Sequence, residues 1–229
     1  MPRPEGHYVL APNVHLTVLE AEEPGPTALI QAGIHGDEVC GVHALQELLE
    51  EGIRPDRGRI LVVPVMNVPA YRARQRAAPG GLDLNRSFPG NPESRHREER
   101  LASVFMDLVR DESPALVATL HESHKRYDPN VHPSFGQTLV YGVTPMPALV
   151  GDVVARLNAE LPNEAERWAT HFFPVATSST EVIVDAFGCI GVCVETWMGF
   201  DETRRVRMQR RVVELMLDTL GIRNASSLI

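Results

Sequence analysis

The chain has 229 residues, of which 43% are hydrophobic and 23% charged, and its formal net charge is −8. This length favours one domain with one substantial core, so we expect a single domain over residues 1–229. The acidic balance argues against nucleic-acid binding, which usually needs a basic face. No apolar run approaches the roughly 20 residues that span a bilayer, and the N-terminus lacks the apolar core of a signal peptide. We therefore expect a cytoplasmic protein.

The first half of the chain alternates strand and helix patterns. Residues 14–19 alternate apolar and polar side chains, as a half-buried strand does, and residues 27–32 form an apolar strand. An amphipathic helix follows up to Glu51 and is closed by Gly52. Residues 60–65 have the continuous apolar composition of a strand buried on both faces, although Pro64 suits a strand end or edge. Residues 69–92 lack either hydrophobic period and predict a long functional loop.

The second half continues this alternation. Helices are predicted at residues 95–111, 147–161, 180–187 and 201–220, and strands at 115–120, 137–143, 172–175 and 190–194. Strands that alternate with helices indicate an α/β domain with a largely parallel or mixed central sheet. The three cysteines, Cys40, Cys189 and Cys193, are an odd number without a regular framework. We expect them to be buried small apolar side chains rather than disulfide partners or metal ligands.

The most informative stretch is the turn after the strand at residues 27–32. Gly33 and Gly36 supply backbone conformations that residues with a β-carbon adopt less readily. His35 and Glu38 stand three apart, a separation that lets two side chains beside a helix start converge on one point. An imidazole and a carboxylate on one point form part of many catalytic zinc sites, although a short His-x-x-Glu pattern also occurs at ordinary surface turns.

Two further strand ends carry polar residues where α/β sheets bind their ligands. His121 follows the strand at 115–120 and is the candidate third zinc ligand, with His124 and His132 as rivals in the same loop. Glu195 ends the strand at 190–194 and is the candidate general base, since a carboxylate beside a metal can take a proton from water and pass it to a leaving amine. Weaker candidates for that role are Glu122 and Glu181.

The loop at residues 69–92 supplies cations. Arg76 is a candidate for stabilising the oxyanion, and Arg72 and Arg74 compete for its place. Asn85 and Arg86 could bind a substrate carboxylate, for which the planar guanidinium group is well suited.

Three motifs together resemble the zinc carboxypeptidase superfamily, which includes metallocarboxypeptidases and the succinylglutamate desuccinylase and aspartoacylase deacylases. The motifs are His-Gly-Asp-Glu at residues 35–38, Asp-Leu-Asn-Arg-Ser-Phe-Pro-Gly at residues 83–90, and His121 at a strand end with a late Glu195. The resemblance extends from about residue 27 to residue 220. It implies an α/β fold with a mixed, mostly parallel, twisted sheet of about eight strands flanked by helices.

The resemblance also implies roles for individual residues. One zinc ion would be held by His35, Glu38 and His121. Arg76 would polarise the scissile carbonyl, Asn85 and Arg86 would hold a free carboxylate of the substrate, and Glu195 would act as general base and then as general acid.

The sequence departs from this superfamily in two ways. Carboxypeptidases use a tyrosine from a mobile loop before the catalytic glutamate, whereas here Tyr127 and Tyr141 are the only nearby options. The related deacylases typically carry an additional C-terminal β domain over the site, whereas only 34 residues follow Glu195. We therefore expect that this covering domain is absent.

These observations favour a zinc hydrolase that cuts an amide bond next to a free carboxylate, in carboxypeptidase style on small peptides. The alternative is deacylation of an N-acyl amino acid by the same residues. A metal-binding scaffold without activity would be expected to lack a ligand or the base, yet every key position is filled. The sequence identifies neither the physiological metal nor the oligomeric state.

Overall fold

The computed structural model describes residues 1–223. Its strands are β1 Gly6–Ala11, β2 Val14–Glu20, β3 Thr27–Ala32, β4 Arg59–Val63, β5 Leu116–Ser123, β6 Thr138–Tyr141, β7 Ala169–Phe172 and β8 Ile190–Trp197. Its helices are α1 Cys40–Glu50, α2 Val68–Ala73, α3 Arg97–Glu112, α4 Ala148–Glu160, α5 Ser179–Phe187 and α6 Glu202–Thr219. Among these helices, none combines the length and apolarity needed to cross a membrane.

The eight strands form one sheet in the order β1-β2-β4-β3-β5-β8-β6-β7. The central pairs β4-β3, β3-β5 and β5-β8 are parallel, as is the edge pair β6-β7. The pairs β1-β2, β2-β4 and β6-β8 are antiparallel. The expectation of a mixed, mostly parallel sheet of about eight strands is confirmed.

Helices cover both faces of the sheet, and successive side chains of one strand enter different cores. In β3, Ala28 and Ile30 pack in a core with residues of α1, α4 and α6, whereas Leu29 packs in a core with residues of α3 and α5. The central strands are therefore apolar at successive positions, as the sequence indicated. Their carboxyl ends lie at one edge of the sheet, where β3, β5 and β8 end near His35, His121 and Glu195.

Most predicted elements are confirmed within two residues at each end. The strand predicted at 60–65 ends at Val63, immediately before Pro64, because proline cannot donate to a strand ladder. The strands predicted to stop before His121 and at Glu195 instead run on to Ser123 and Trp197. They do so because the two strands remain hydrogen-bonded to each other along these polar residues.

Three expectations about local structure were wrong or incomplete. The loop predicted at 69–92 contains α2 and a 3-10 turn at Leu84–Arg86, which are too short to show a hydrophobic period. The strand predicted at 172–175 lies at Ala169–Phe172, and β1 was not predicted. Both are edge strands with few buried side chains, so their burial pattern in the sequence is weak.

All three cysteines are free, and full burial is confirmed only for Cys40, since Cys189 and Cys193 are partly exposed.

Candidate metal centre and substrate cleft

The turn between β3 and α1 places His35 and Glu38 at the carboxyl edge of the sheet. Gly33 has a φ of 63°, in the left-handed region that the sequence analysis anticipated. Gly36 is needed for a different reason from the one expected. A Cβ atom there would lie 1.9 Å from the carbonyl carbon of Ala70, so only glycine allows this turn to pack against α2. The Gly36 amide also donates to the Gln75 carbonyl at 2.9 Å.

His35, Glu38 and His121 form one buried group. The Nδ1 atom of His35 lies 2.7 Å from Oε1 of Glu38, and the Nδ1 atom of His121 lies 2.6 Å from Oε2 of the same carboxylate. One potential ligand atom from each residue falls within a span of 4.8 Å. The structure therefore brings together all three residues that the sequence analysis singled out as metal ligands.

This group combines one buried carboxylate with two buried imidazoles. Burial acts to lower the pKa of His35, but the charge of Glu38 and hydrogen bonds to Asp83 and Glu38 prevail and raise it to about 9. Burial acts to raise the pKa of Glu38, but the two adjacent imidazoles outweigh burial and hold the pKa below its usual range. Burial lowers the pKa of His121, which favours the neutral imidazole that binds metals. The buried Nε2 atom of His121 has no hydrogen-bond partner within residues 1–223. Two imidazoles and one carboxylate, all buried, are a donor set that fits zinc.

Glu195 lies beside this group on the neighbouring strand, and it lines the same cleft. Burial, and then the negative charge of Glu38, raise the pKa of Glu195 to about 8. The Cys193 thiol donates weakly to Oε1 of Glu195 at 3.6 Å. A carboxylate with a raised pKa has a stronger affinity for protons, which suits a group that accepts and then returns one.

Arg76 is the arginine of its loop that reaches the buried group. Its Nε and Nη2 atoms each lie 3.0 Å from Oδ2 of Asp83, and its Nη1 atom lies 3.4 Å from Nδ1 of His35. All three arginines are exposed, but Arg72 and Arg74 do not line the cleft, whereas Arg76 does. Arg74 instead lies over the Tyr71 ring, with its guanidinium carbon 5.0 Å from the ring centroid.

Asn85 and Arg86 lie on a short 3-10 turn that Asp83 caps by accepting from the Asn85 amide at 2.9 Å. The Oδ1 atom of Asn85 accepts a hydrogen bond from the Ser179 amide at 2.9 Å, which fixes the side chain to the first turn of α5. Arg86 donates to the Asn85 carbonyl at 2.8 Å and is otherwise exposed towards the cleft. Both residues are therefore positioned to donate to a substrate.

These side chains line one cleft of about 350 Å³. Its polar members include Asp37, His124, Lys125 and Glu181, and its apolar members include Phe135, Val140, Tyr141, Phe173 and Val175. A cleft of this size with a few convergent polar groups is typical of small-molecule sites.

A hydrogen-bond network behind the buried group was missed by the sequence analysis. Gln209 of α6 is fully buried, and its amide nitrogen donates to the His121 carbonyl at 2.7 Å and to Oγ1 of Thr196 at 3.0 Å. The carboxylate of Glu122 accepts from the Cys40 amide at 3.0 Å and forms an ion pair with Arg205. A glutamine and an arginine in an amphipathic helix give no sequence signal of this kind, because their partners are distant in the chain.

The weaker candidates named from the sequence fall into two groups, those that line the cleft and those that do not. His124 lines the cleft but stands outside the metal-type group, and His132 stacks on His171 with ring centroids 5.9 Å apart. Glu122 is paired with Arg205, whereas Glu181 lines the cleft. Of the two tyrosines, Tyr141 lines the cleft and Tyr127 packs against His171.

The fold is that of zinc carboxypeptidase-like proteins, as the resemblance of the sequence implied. The cell shape determinant protein Csd4 of Helicobacter pylori, in its product-bound crystal structure, superposes with a TM-score of 0.81 at 20% identity. That match covers 92% of this chain and 56% of the Csd4 chain.

More specifically, residues 24–127 match the model of the succinylglutamate desuccinylase/aspartoacylase catalytic domain. The N-alpha-acetyl-L-2,4-diaminobutyric acid deacetylase of Halomonas elongata is 40% identical over 117 residues, which are 50% of this chain and 33% of that protein. The succinylglutamate desuccinylase of Burkholderia orbicola is 34% identical over 156 residues, covering 61% of this chain and 43% of that protein. The chain thus spans a third to under half of the length of these curated relatives.

Proposed function

We propose that the chain hydrolyses an amide bond in a small substrate that carries a free carboxylate. The observation that carries this proposal is the convergence of three kinds of group in one cleft. The metal-type donor set is His35, Glu38 and His121, and the buried carboxylate is Glu195. The third kind of group is polar side chains that would donate to the substrate, namely Arg76, Asn85 and Arg86. The chain is accordingly proposed to be a metal-dependent hydrolase.

One zinc ion would be held by His35, Glu38 and His121. When bound, zinc supplies a Lewis acid for the scissile carbonyl and lowers the pKa of a water molecule. The Oδ1 atom of Asp83 lies 3.3 Å from Nε2 of His35. Asp83 would thereby orient the imidazole ring of His35 for metal binding.

Glu195 would move the proton. A carboxylate oxygen of Glu195 accepts a proton from the attacking water, and the same oxygen later gives it to the amine that leaves. Among residues 1–223, Glu195 is the carboxylate whose strand position pairs in register with a member of the metal-type group, His121.

The cations would orient the substrate. Arg76 lies beside His35 and Glu38, where its guanidinium can donate to the oxyanion that develops on the carbonyl. Asn85 and Arg86 line the same cleft and would bind the free carboxylate through charge-assisted hydrogen bonds.

The nature of the acyl group distinguishes two candidate substrates. The curated relatives are named as a deacetylase and a desuccinylase of amino-acid derivatives, which favours a small N-acyl amino acid. A short peptide cut in carboxypeptidase style is the second candidate, because the cleft, which Lys125 and Phe135 also line, has a volume of about 350 Å³ and so has room for more than an acetyl group. We place the protein in the cytoplasm, where its three free cysteines would stay reduced.

The test is a panel of N-acyl amino acids and short peptides incubated with the zinc-loaded protein and with Glu195→Gln, followed by mass spectrometry. Release of an amino acid with a free carboxylate by the wild type, and its loss in the variant, would support the proposal. Cleavage of acylated amino acids alone would identify a deacylase, and sequential loss of C-terminal residues would identify a peptidase. Equal turnover by Glu195→Gln would contradict the role given to Glu195.

A further inference from the structure

Glu181 is a carboxylate in the cleft that the proposed reaction does not use. It lies in the first turn of α5, is half-buried and lines the cleft. Its side chain makes no hydrogen bond or ion pair within residues 1–223, although Lys125 and Arg86 line the same cleft. An unpaired, partly desolvated carboxylate is costly unless something else binds to it.

The surroundings of Glu181 add to its need for a positive charge. A Cβ atom on Gly142 would lie 1.7 Å from Oε2 of Glu181, so the carboxylate rests against the backbone at the end of β6. Burial, followed by the negative charge of Asp185 one turn further along α5, raises the pKa of Glu181. Val140, Thr180 and Cys193 line the same cleft as Glu181.

Glu181 lies in the same helical turn that contacts Asn85, one of the two residues proposed to bind the substrate carboxylate. Asn85 accepts from the Ser179 amide at 2.9 Å, and Ser178 caps the same helix by accepting from the Glu181 amide at 3.3 Å. Asn85 and Glu181 are therefore held by one turn of α5. An amino acid whose α-carboxylate binds Asn85 would direct its side chain along this turn towards Glu181.

We propose that Glu181 makes the site selective for amino acids whose side chain ends in an ammonium group, so that the amine released is a diamino acid. The α-carboxylate would bind Asn85 and Arg86, and the side-chain ammonium would form a charge-assisted hydrogen bond with Glu181. This inference rests on the proposed function and names its substrate class. Glu181 is a specificity-determining residue in this scheme and takes no part in proton transfer.

The test compares pairs of substrates whose side chains have the same length and end in an ammonium group in one member and in a methyl group in the other. N-acetyl derivatives of 2,4-diaminobutyrate and ornithine are paired with those of norvaline and norleucine, and the same four residues are placed at the C-terminus of short peptides. For the wild type we expect kcat/KM to favour the ammonium substrate about 10-fold or more, the magnitude of a lost charged hydrogen bond. In Glu181→Gln the ratio should fall towards one, and Glu181→Arg should shift the preference to N-acetylglutamate.

Glu50→Gln is the matched control, since Glu50 is exposed on α1 outside the cleft, and it should keep the wild-type ratio. A wild-type ratio near one, or an unchanged ratio in Glu181→Gln, would overturn the inference while leaving amide hydrolysis intact. If no amide is cut, calorimetry with free ornithine and norleucine separates the two ideas. Tighter ornithine binding that Glu181→Gln abolishes would support the selectivity of Glu181 without the proposed reaction, and equal binding would overturn it.

Discussion

His121 and Glu195 lie directly opposite each other in the parallel pair of β5 and β8. Register partners in a parallel pair point to the same face of the sheet, and neighbouring strands lie about 4.8 Å apart. A candidate metal ligand and a candidate base are thereby held side by side by backbone hydrogen bonds. The next pair, Glu122 and Thr196, joins the network with α1 and α6.

Removing one imidazole should abolish metal binding. We expect His121→Ala to lose stoichiometric zinc and the rise in melting temperature that zinc gives the wild type, since an ion bound only by the folded state stabilises it by about 2.7 kcal/mol at 100 times its Kd. Zinc content and thermal melting with and without a chelator measure this. The control is His124→Ala. His124 lines the cleft but lies outside the metal-type group, so this variant should retain both zinc binding and the rise in melting temperature. Full zinc occupancy in His121→Ala would refute the assignment.

Arg76 should matter more than its neighbours in the loop. Arg76→Lys keeps a positive charge but loses the paired contacts with Asp83, so we expect kcat/KM to fall by about 100-fold, as for the loss of one oxyanion donor. The matched control Arg74→Lys, at an exposed arginine, should change kcat/KM less than twofold. A larger loss in Arg74→Lys than in Arg76→Lys would transfer the role to Arg74.

Gln209 should position the strands that carry His121 and Glu195. We expect Gln209→Leu to lower the free energy of unfolding by about 1–3 kcal/mol, because it leaves the His121 carbonyl and the Thr196 hydroxyl buried without their donor. Zinc affinity should fall about 10-fold, as for other groups that support metal ligands. Chemical denaturation and zinc competition measure the two effects. The control is Gln46→Leu, at an exposed glutamine of α1, which should change neither the free energy of unfolding nor the zinc affinity. Unaltered zinc affinity in Gln209→Leu would limit Gln209 to a structural role.

Glu112 should make the protein less stable in acid. Burial acts to raise the pKa of this carboxylate, but hydrogen bonds from Arg3 and Arg59 prevail and lower it. Because the folded-state pKa lies below that of the unfolded chain, the stabilisation is present above about pH 4.5 and is lost as the pH falls through the folded-state pKa. Glu112→Gln should therefore be less stable at neutral pH and show a shallower loss of stability in acid.

Urea denaturation of Glu112→Gln at a series of pH values between neutral and acid measures this slope. Glu93→Gln, at an exposed position, should follow the wild type. A wild-type slope in Glu112→Gln would show that other carboxylates cause the loss in acid.

Gly36 should tolerate no side chain. We expect Gly36→Ala to lower the free energy of unfolding by about 1–3 kcal/mol and to disturb the turn that carries His35, because the added methyl would overlap the Ala70 carbonyl. Gly151→Ala in α4 is the contrasting variant, since alanine is favoured by up to about 1 kcal/mol inside a helix. Thermal melting of both variants checks this. A Gly36→Ala protein as stable as Gly151→Ala would contradict the close approach.

The sequence by itself determined the α/β class, most element positions and the three residues of the metal-type group. It could do so because these depend on short-range patterns, which are hydrophobic period, turn residues and polar residues at strand ends. The sequence favoured Arg76 over Arg72 and Arg74 only through the family resemblance. The structure adds that Arg76 lines the cleft and lies 3.4 Å from His35, which no local pattern could show because all three arginines share one loop.

Other features are decided only by tertiary contacts. Gln209 meets His121 across 88 residues of chain, and Asn85 meets Ser179 across 94. Glu181 and Glu122 differ in their contacts. Glu181 lines the cleft and has no hydrogen-bond or ion-pair partner for its carboxylate among residues 1–223, whereas Glu122 pairs with Arg205. No local pattern encodes such contacts, because they arise when the sheet order brings distant segments to one edge.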